Sequence, residues 1–229
     1  AKNSGFQIPR TYDSQSSVGQ GNIIVKPRDL GGSVGIKIIN LREQIDLEEH
    51  GKYIYQEFIP GFDLTVPVLF NPITDKLFAF PGILYLPECE EPWNWIHSEQ
   101  SKIDFKGYKK VTVELPDTFK YSILKLAVDF GIDSYCRFDF RVKSENMVDV
   151  EMLFNDEMKL YFMEINPMPT LRFGINYLQG IKAIKANMEM YKTYSIFYET
   201  MQNTNRDISD LAFVLSCAIF TKLKSKSYE

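Results

Sequence analysis

Tyr135-Cys-Arg-Phe-Asp-Phe-Arg141 and Leu160-Tyr-Phe-Met-Glu-Ile-Asn166 decide the reading of this chain. Side chains of a β-strand alternate between its two faces. In the first stretch Tyr135, Arg137, Asp139 and Arg141 therefore share one face, and Cys136, Phe138, Phe140 and Val142 face the other way, into a core. In the second, Glu164 and Asn166 share a face by the same rule. Glu164 interrupts an otherwise apolar run, and Asn166-Pro167-Met168-Pro169 ends the strand abruptly. The acidic, polar segment 143–158 between them is long for a hairpin connection but consistent with one. Paired, the two strands would gather Asp139, Glu164 and the amide oxygen of Asn166 beside Arg137. Such a set of hard oxygens suits Mg²⁺, which takes a few carboxylates and completes its shell with water and substrate phosphates. The same alternation also describes two amphipathic strands whose polar faces meet water, and the residues alone leave both readings open.

Working outward, Asn22–Lys26 is a short β-rich run closed by Pro27, and Lys26-Pro-Arg-Asp-Leu-Gly-Gly-Ser-Val-Gly35 delivers a lysine into a glycine-rich loop. Glycines let backbone N–H groups approach and cradle an anion. No Gly-Lys-Ser/Thr follows, and the glycine spacing is not that of a dinucleotide fingerprint. The loop reads as a flexible turn or as a phosphate site. Strand character resumes at Ile36–Leu41 and at Tyr53–Ile59, which ends in the turn signal Pro60-Gly61, and Asp63–Phe70 is its expected partner. Pro67 inside that run predicts an edge position or a bulge. Lys76–Leu86 supplies a further strand pair broken at Pro81-Gly82. Tyr55-Gln-Glu-Phe-Ile-Pro-Gly-Phe-Asp63 could read an adenine edge with its backbone and ribose hydroxyls with its acid, or be a hairpin with an acidic turn.

A helix is predicted from Pro116, with Phe119, Ile123, Leu126, Ala127 and Phe130 at helical spacing and Gly131 as its stop. Two more are expected at about 178–201 and 207–224. Clustered strands with helices between and after them favour α+β or mixed α/β over a doubly wound sheet.

The composition excludes several classes. Of 229 residues, 45% are hydrophobic and 24% charged, so the chain is neither disordered nor fibrous. Thirty acids against 26 bases leave a net charge of −4 and no basic surface for nucleic acid. The most apolar stretch, Leu211–Phe220, is about half the ~20 residues a membrane helix needs. Cys89, Cys136 and Cys217 are scattered and odd in number, which suggests neither a disulfide framework nor a zinc site and fits a reducing, cytoplasmic compartment. His50 and His97 read as structural or exposed. The aromatic-rich segment 90–100 reads as a packed surface loop or a lid. The opening Ala1-Lys-Asn-Ser, without Met, reads as the interior of a domain of a longer protein.

VKPRDLGGSVGI (25–36), QEFIPGFDLTV (56–66), RFDF (137–140) and MEINPMP (163–169), in this order over about 145 residues, resemble the ATP-grasp superfamily, most closely its D-alanine–D-alanine ligase branch. The resemblance implies an α+β ATP-grasp fold in which two α+β subdomains, 1–60 and 61–229, clasp a nucleotide between antiparallel sheets. It implies ATP and Mg²⁺ as cofactors, with two ions expected and Mn²⁺ as a substitute. Lys26 would bind the inner phosphates, and the loop of Gly31, Gly32, Ser33, Val34 and Gly35 would close over the outer ones. Gln56, Glu57 and Ile59 would form the adenine-reading hinge, with Phe58 near the ring and Asp63 on the ribose. Lys102 would reach the γ-phosphate. Asp139, Glu164 and Asn166 would hold the metal, and Arg137 would stabilise charge developing on the acyl group.

Past Glu-x-Asn such ligases carry Thr-x-Pro-Gly and then a Thr and a Ser, whereas here Pro167-Met-Pro-Thr-Leu-Arg-Phe-Gly-Ile-Asn176 follows. Arg172 could grip a substrate carboxylate bidentately or lie on the surface, and Ile175 or Asn176 takes the Ser position. The implied activity is an amide-forming ligation of a small carboxylate and an amine, such as amino acids, through an acyl-phosphate. An ATP-grasp kinase acting on a hydroxyl and a non-catalytic nucleotide-binding subunit are the alternatives. No nucleic-acid or membrane partner is expected. Dimers are common among such ligases, so a homodimer is the expected assembly.

Overall fold

A computed structural model describes residues 5–12, 21–31, 33–40, 51–71, 76–97, 107–133, 135–154 and 159–167. The expected helices at 178–201 and 207–224 lie outside these, as do Gly32, Lys102, Arg172 and Asn176. The described strands are β1 (Thr11–Tyr12), β2 (Asn22–Pro27), β3 (Lys37–Asn40), β4 (Tyr53–Glu57), β5 (Gly61–Asn71), β6 (Lys76–Ala79), β7 (Gly82–Pro87), β8 (Tyr108–Val113), β9 (Tyr135–Lys143) and β10 (Lys159–Asn166). They form two sheets. The smaller has the order β1-β4-β2-β3. The larger runs β10-β9-β5-β7-β8, with β6 also on β5. Every pairing between these strands is antiparallel. The fold is thus α+β with antiparallel sheets, as expected.

The larger sheet owes its stability to one face. Phe62, Leu64, Val66 and Val68 of β5 lie beside Cys136, Phe138, Phe140 and Val142 of β9, all essentially without solvent contact. Helix α1 (Asp117–Asp129) completes that core with Ile123, Leu126 and Ala127. It begins after Pro116 and ends where the sequence predicts. The Gly131 N–H donates to the Val128 carbonyl and the Ile132 N–H to that of Ala127, with Gly131 left-handed at φ +70°. This is the Schellman arrangement, which satisfies carbonyls that a helix end leaves open. Phe6, from the N-terminal segment, packs on Phe119 and Phe140 in the same core.

Pro67 departs from expectation: it sits in an interior strand, opposite Arg137, with no bulge in the β5–β9 register. The Pro67 carbonyl accepts from the Phe80 N–H at 2.9 Å. A residue's N and C=O point to the same side of a strand, so the missing N–H falls on the side where β6 has ended and β7 has not begun. Proline costs no ladder bond there. Gly61, at φ +149°, opens β5; a Cβ there would lie 1.8 Å from the Val142 carbonyl oxygen, so only glycine lets the two backbones approach. Among the described residues no helix is long and apolar enough to cross a membrane.

Candidate functional site

The face of the larger sheet opposite the core carries the polar residues, and register decides which of them meet. Asp63 lies opposite Arg141, Thr65 opposite Asp139, and Pro67 opposite Arg137. On the other side of β9, Glu164 pairs with Asp139 and Asn166 with Arg137. A bulge between Phe162 and Glu164 makes this possible. Strict alternation would put Phe162, Glu164 and Asn166 on one face. With Met163 as the extra residue, Phe162 stays in the core opposite Phe140, and Glu164 and Asn166 turn to the Asp139 face.

The side chains close into a network. Arg137 grips Asp139 through both arms of its fork, Nε to Oδ1 at 2.8 Å and Nη2 to Oδ2 at 2.7 Å. Asn166 Nδ2 donates to Asp139 Oδ2 at 2.8 Å and to Glu164 Oε1 at 3.3 Å. Burial pushes the Asp139 carboxyl up to about 6, Arg137 opposes this, and Glu164 and Asp63 add to it. For Arg137, burial works against the charge, but Asp139, Tyr85 and Glu164 more than offset it, so the guanidinium stays charged. Lys26 approaches from β2 of the smaller sheet. Burial holds its ammonium below the usual lysine range, while Glu164 and Asp63 of the larger sheet pull the other way. The two sheets thus contribute charges to one locus.

A divalent cation fits this donor set. One amide nitrogen already lies within hydrogen-bond distance of both carboxylates, and rotating the Asn166 amide by half a turn would present its oxygen instead. The Thr65 hydroxyl, opposite Asp139, is buried and makes no hydrogen bond among the described residues. The set is two carboxylates and an amide; no group of three His, Cys, Asp or Glu side chains suited to a metal occurs among the described residues. Two carboxylates are enough for Mg²⁺ when water and phosphate supply the rest.

The segment after β4 leads into this face. Gln56 shares the face of β4 and β2 that carries Lys26, and its amide donates to the Thr11 hydroxyl at 3.3 Å. The Glu57 N–H donates to the Arg10 carbonyl and the Phe58 N–H to that of Asn22. Phe58 and Ile59 are both buried. Gly31, Ser33, Val34 and Gly35 form successive turns beyond β2, with Val34 N–H on the Gly31 carbonyl and Ile36 N–H on that of Ser33. Ser33 holds φ +69°, a strained conformation for a residue with a side chain.

Arg141 is the organiser that the sequence reading placed on this face without a role. Only 4% exposed, it donates Nε to the Ile59 carbonyl (3.0 Å), Nη1 to Asp63 Oδ1 (2.8 Å), and Nη2 to the carbonyls of Trp93 (3.1 Å) and Trp95 (2.7 Å). It lies 5.8 Å from the Phe58 ring centroid. One side chain therefore ties together the Ile59 backbone, Asp63 and the aromatic segment. Its signal was present: an arginine in line with Arg137 and Asp139. Lys110 was missed altogether, because strand β8 was not anticipated; the register sets it opposite Tyr85 on the same face.

Comparison with known proteins gives the family of this chain. A family model described as an ATP-grasp domain matches residues 1–129. D-alanine–D-alanine ligase from Fusobacterium nucleatum subsp. nucleatum is 25% identical over 174 residues, covering 74% of this chain and 53% of that protein. The Natranaerobius thermophilus enzyme of the same name is 31% identical over 154 residues, covering 64% and 38%. The chain spans about half the length, or less, of these curated relatives. Among solved structures, the ATP-grasp ligase PsnB with minimal precursor, Mg and ADP superposes with a TM-score of 0.51 at 15% identity, over 76% of this chain and 49% of PsnB. PsnB with a phosphomimetic variant of its precursor gives 0.50 at 16% identity, over 75% and 49%. The matched domain covers more than half of the sequence and the sheets agree in fold, so the chain belongs to the ATP-grasp family.

Proposed function

We propose that this chain supplies the nucleotide and metal site of an ATP- and Mg²⁺-dependent ligase that joins a carboxylate to an amine through an acyl-phosphate. The observation that carries the reading is the convergence of Asp139, Glu164 and Asn166 beside Arg137, with Lys26 facing them from the second sheet. The names of the sequence relatives, D-alanine–D-alanine ligases, and the ADP and Mg in the PsnB complex support it.

In this reading Lys26 binds the inner phosphates, and the glycine-rich segment of Gly31, Gly32, Ser33 and Val34 closes over the outer ones. Gln56, Glu57, Phe58 and Ile59 hold the adenine. Asp63, anchored by Arg141 and a quarter exposed, faces the ribose. Asp139, Glu164 and Asn166 hold Mg²⁺, which when bound neutralises charge on the phosphates. The acid's carboxylate attacks the γ-phosphoryl group and releases ADP, and the amine then displaces phosphate from the acyl carbon. Arg137 holds Asp139 with two of its donors, so its remaining N–H groups are the ones that reach an oxygen of the acyl group as charge develops there. Lys102, Arg172 and Asn176 are proposed for the γ-phosphate and the substrates. Residues 1–60 and 61–229 are the proposed subdomains, and the proposed assembly is a cytoplasmic homodimer.

The test is Mg²⁺-dependent ADP release from the full-length protein with pooled amino acids and small acids, products being read by mass. ADP with a product equal to two pool members minus water is expected, and Asp139→Asn and Glu164→Gln should abolish it. A phosphorylated alcohol would replace ligation by kinase chemistry. Activity that survives both substitutions would refute the metal assignment.

A further inference from the structure

Beside the network just described, the site face continues across β7 and β8 to a lysine whose charge is not matched. Lys110 stands opposite Tyr85 in the β7–β8 register. Its ammonium lies 5.2 Å from the Tyr85 ring centroid and 5.8 Å from that of Tyr108. Among the described residues the other cations of this face have carboxylate neighbours. Arg137 has Asp139, Arg141 has Asp63, and Lys26 feels Glu164 and Asp63. No described carboxylate lies within ion-pair distance of Lys110, whereas its neighbour Lys109, on the opposite face, pairs with Glu88 at 3.3 Å. Burial and the nearby Arg137 both hold the Lys110 ammonium below the usual lysine range. A half-buried cation beside a second cation is a costly arrangement that an incoming anion relieves.

The surroundings define what the anion is attached to. Tyr85, Trp95, His97 and Tyr108 form a continuous aromatic wall next to the ammonium, with ring centroids 5.0 Å apart for Tyr85–His97, 5.2 Å for Trp95–His97, 5.5 Å for Tyr85–Tyr108 and 5.6 Å for Trp95–Tyr108. Trp95, His97 and Tyr108 are half-buried, so the wall keeps an open surface. Arg141 fixes it by binding the carbonyls of Trp93 and Trp95. An aromatic surface that is held rigid presents a flat apolar contact with little entropy to lose.

We infer that Lys110 and this wall form the subsite for the acid substrate: Lys110 takes its carboxylate beside Arg137, and the wall takes a flat, apolar or aromatic group joined to it by a short chain. This rests on the ligase reading above and names the substrate class for it, an acid bearing such a group.

The chain's two tryptophans, Trp93 and Trp95, both lie in this segment, so tryptophan fluorescence reports on the wall directly. The full-length protein is titrated with 3-phenylpropanoate and with its uncharged counterpart 3-phenylpropanol, with and without Mg²⁺ and a non-hydrolysable ATP analogue. N-methylanthraniloyl-ATP binding is measured separately. A saturable change with phenylpropanoate is expected, at least about tenfold weaker for the alcohol and for Lys110→Met. Lys109→Met should match the wild type, and far-UV circular dichroism checks the fold of each variant.

Equal binding of acid and alcohol, no saturable response to either, or unchanged binding by Lys110→Met would overturn the inference. So would a Lys110→Met variant that loses nucleotide affinity but not acid affinity, which would assign the ammonium to a phosphate. Failure of the wild type to bind the nucleotide probe would instead sink the ligase reading. The acid titration without nucleotide is scored on its own.

Discussion

Arg141→Met removes four donations while nearly preserving side-chain volume, and it isolates what holds the segment around Ile59 to the larger sheet. The guanidinium is 4% exposed and serves the Ile59, Trp93 and Trp95 carbonyls and Asp63. Breaking a buried charge pair costs about 3–5 kcal/mol, because the surviving partner is left desolvated. Asp63 retains a quarter of its exposure and can be rehydrated, which pulls the value towards the lower end. The three carbonyls cannot all be, which pulls it up. A net loss of about 3–4 kcal/mol follows, or about 10 °C in Tm for a chain of this size. Arg141→Lys keeps a charge for Asp63 but has no planar fork to span three carbonyls, so it should fall between. Urea unfolding followed by far-UV circular dichroism, with the slope compared to detect any change in the unfolded state, gives the number. A double-mutant cycle with Asp63→Asn then separates the ion pair from the carbonyl bonds. A loss below about 1 kcal/mol for Arg141→Met would refute the argument, since it would mean water replaces all four partners at little cost.

Four further outcomes are expected. Gly61→Ala should prevent folding or lower the urea midpoint severely, because its Cβ would meet the Val142 carbonyl oxygen at 1.8 Å in a backbone conformation at φ +149°; near wild-type stability would contradict the close approach. Deleting Met163 removes the bulge and forces either Phe162 out of the core or Glu164 into it, so soluble expression and cooperative unfolding should both be lost. Cys136 is fully buried, and burial pushes its thiol up to about 12. In the native protein it should resist iodoacetamide at pH 8 while the exposed Cys89 reacts, as peptide mass mapping would show. The same shift has a stability sign. The folded state holds this proton more tightly than the unfolded one, so the contribution is intact below about pH 9. It is lost as pH rises through about 12, by roughly 4 kcal/mol for the three-unit difference. Alkaline unfolding that does not weaken in Cys136→Ala would contradict it.

Local chemistry made much of this molecule legible in its sequence. The strict alternation of Tyr135–Val142 specified both faces of β9, because a strand offers its side chains no third direction. Pro116, the helical spacing to Phe130 and Gly131 specified α1 and its end, because helix initiation and termination depend on groups within a turn of each other. The pairing of Asp139 with Glu164 and Asn166 was legible as chemistry, since alternation put each on a polar face and Glu164 broke an otherwise apolar run. Tertiary structure decided the rest. Pro67 looked like an edge or bulge residue because its fit depends on where β6 and β7 stop along β5, which no local pattern records. The Met163 bulge is likewise invisible in the residue order, because the gain from turning Glu164 away while keeping Phe162 buried exists only against β9. Arg141 and Lys110 lay in plain view as one arginine and one lysine among 26 basic residues. What sets them apart is burial and the partners around them, which come from strands and loops distant in sequence. A charge has its worth fixed by its surroundings, and only the folded chain supplies those.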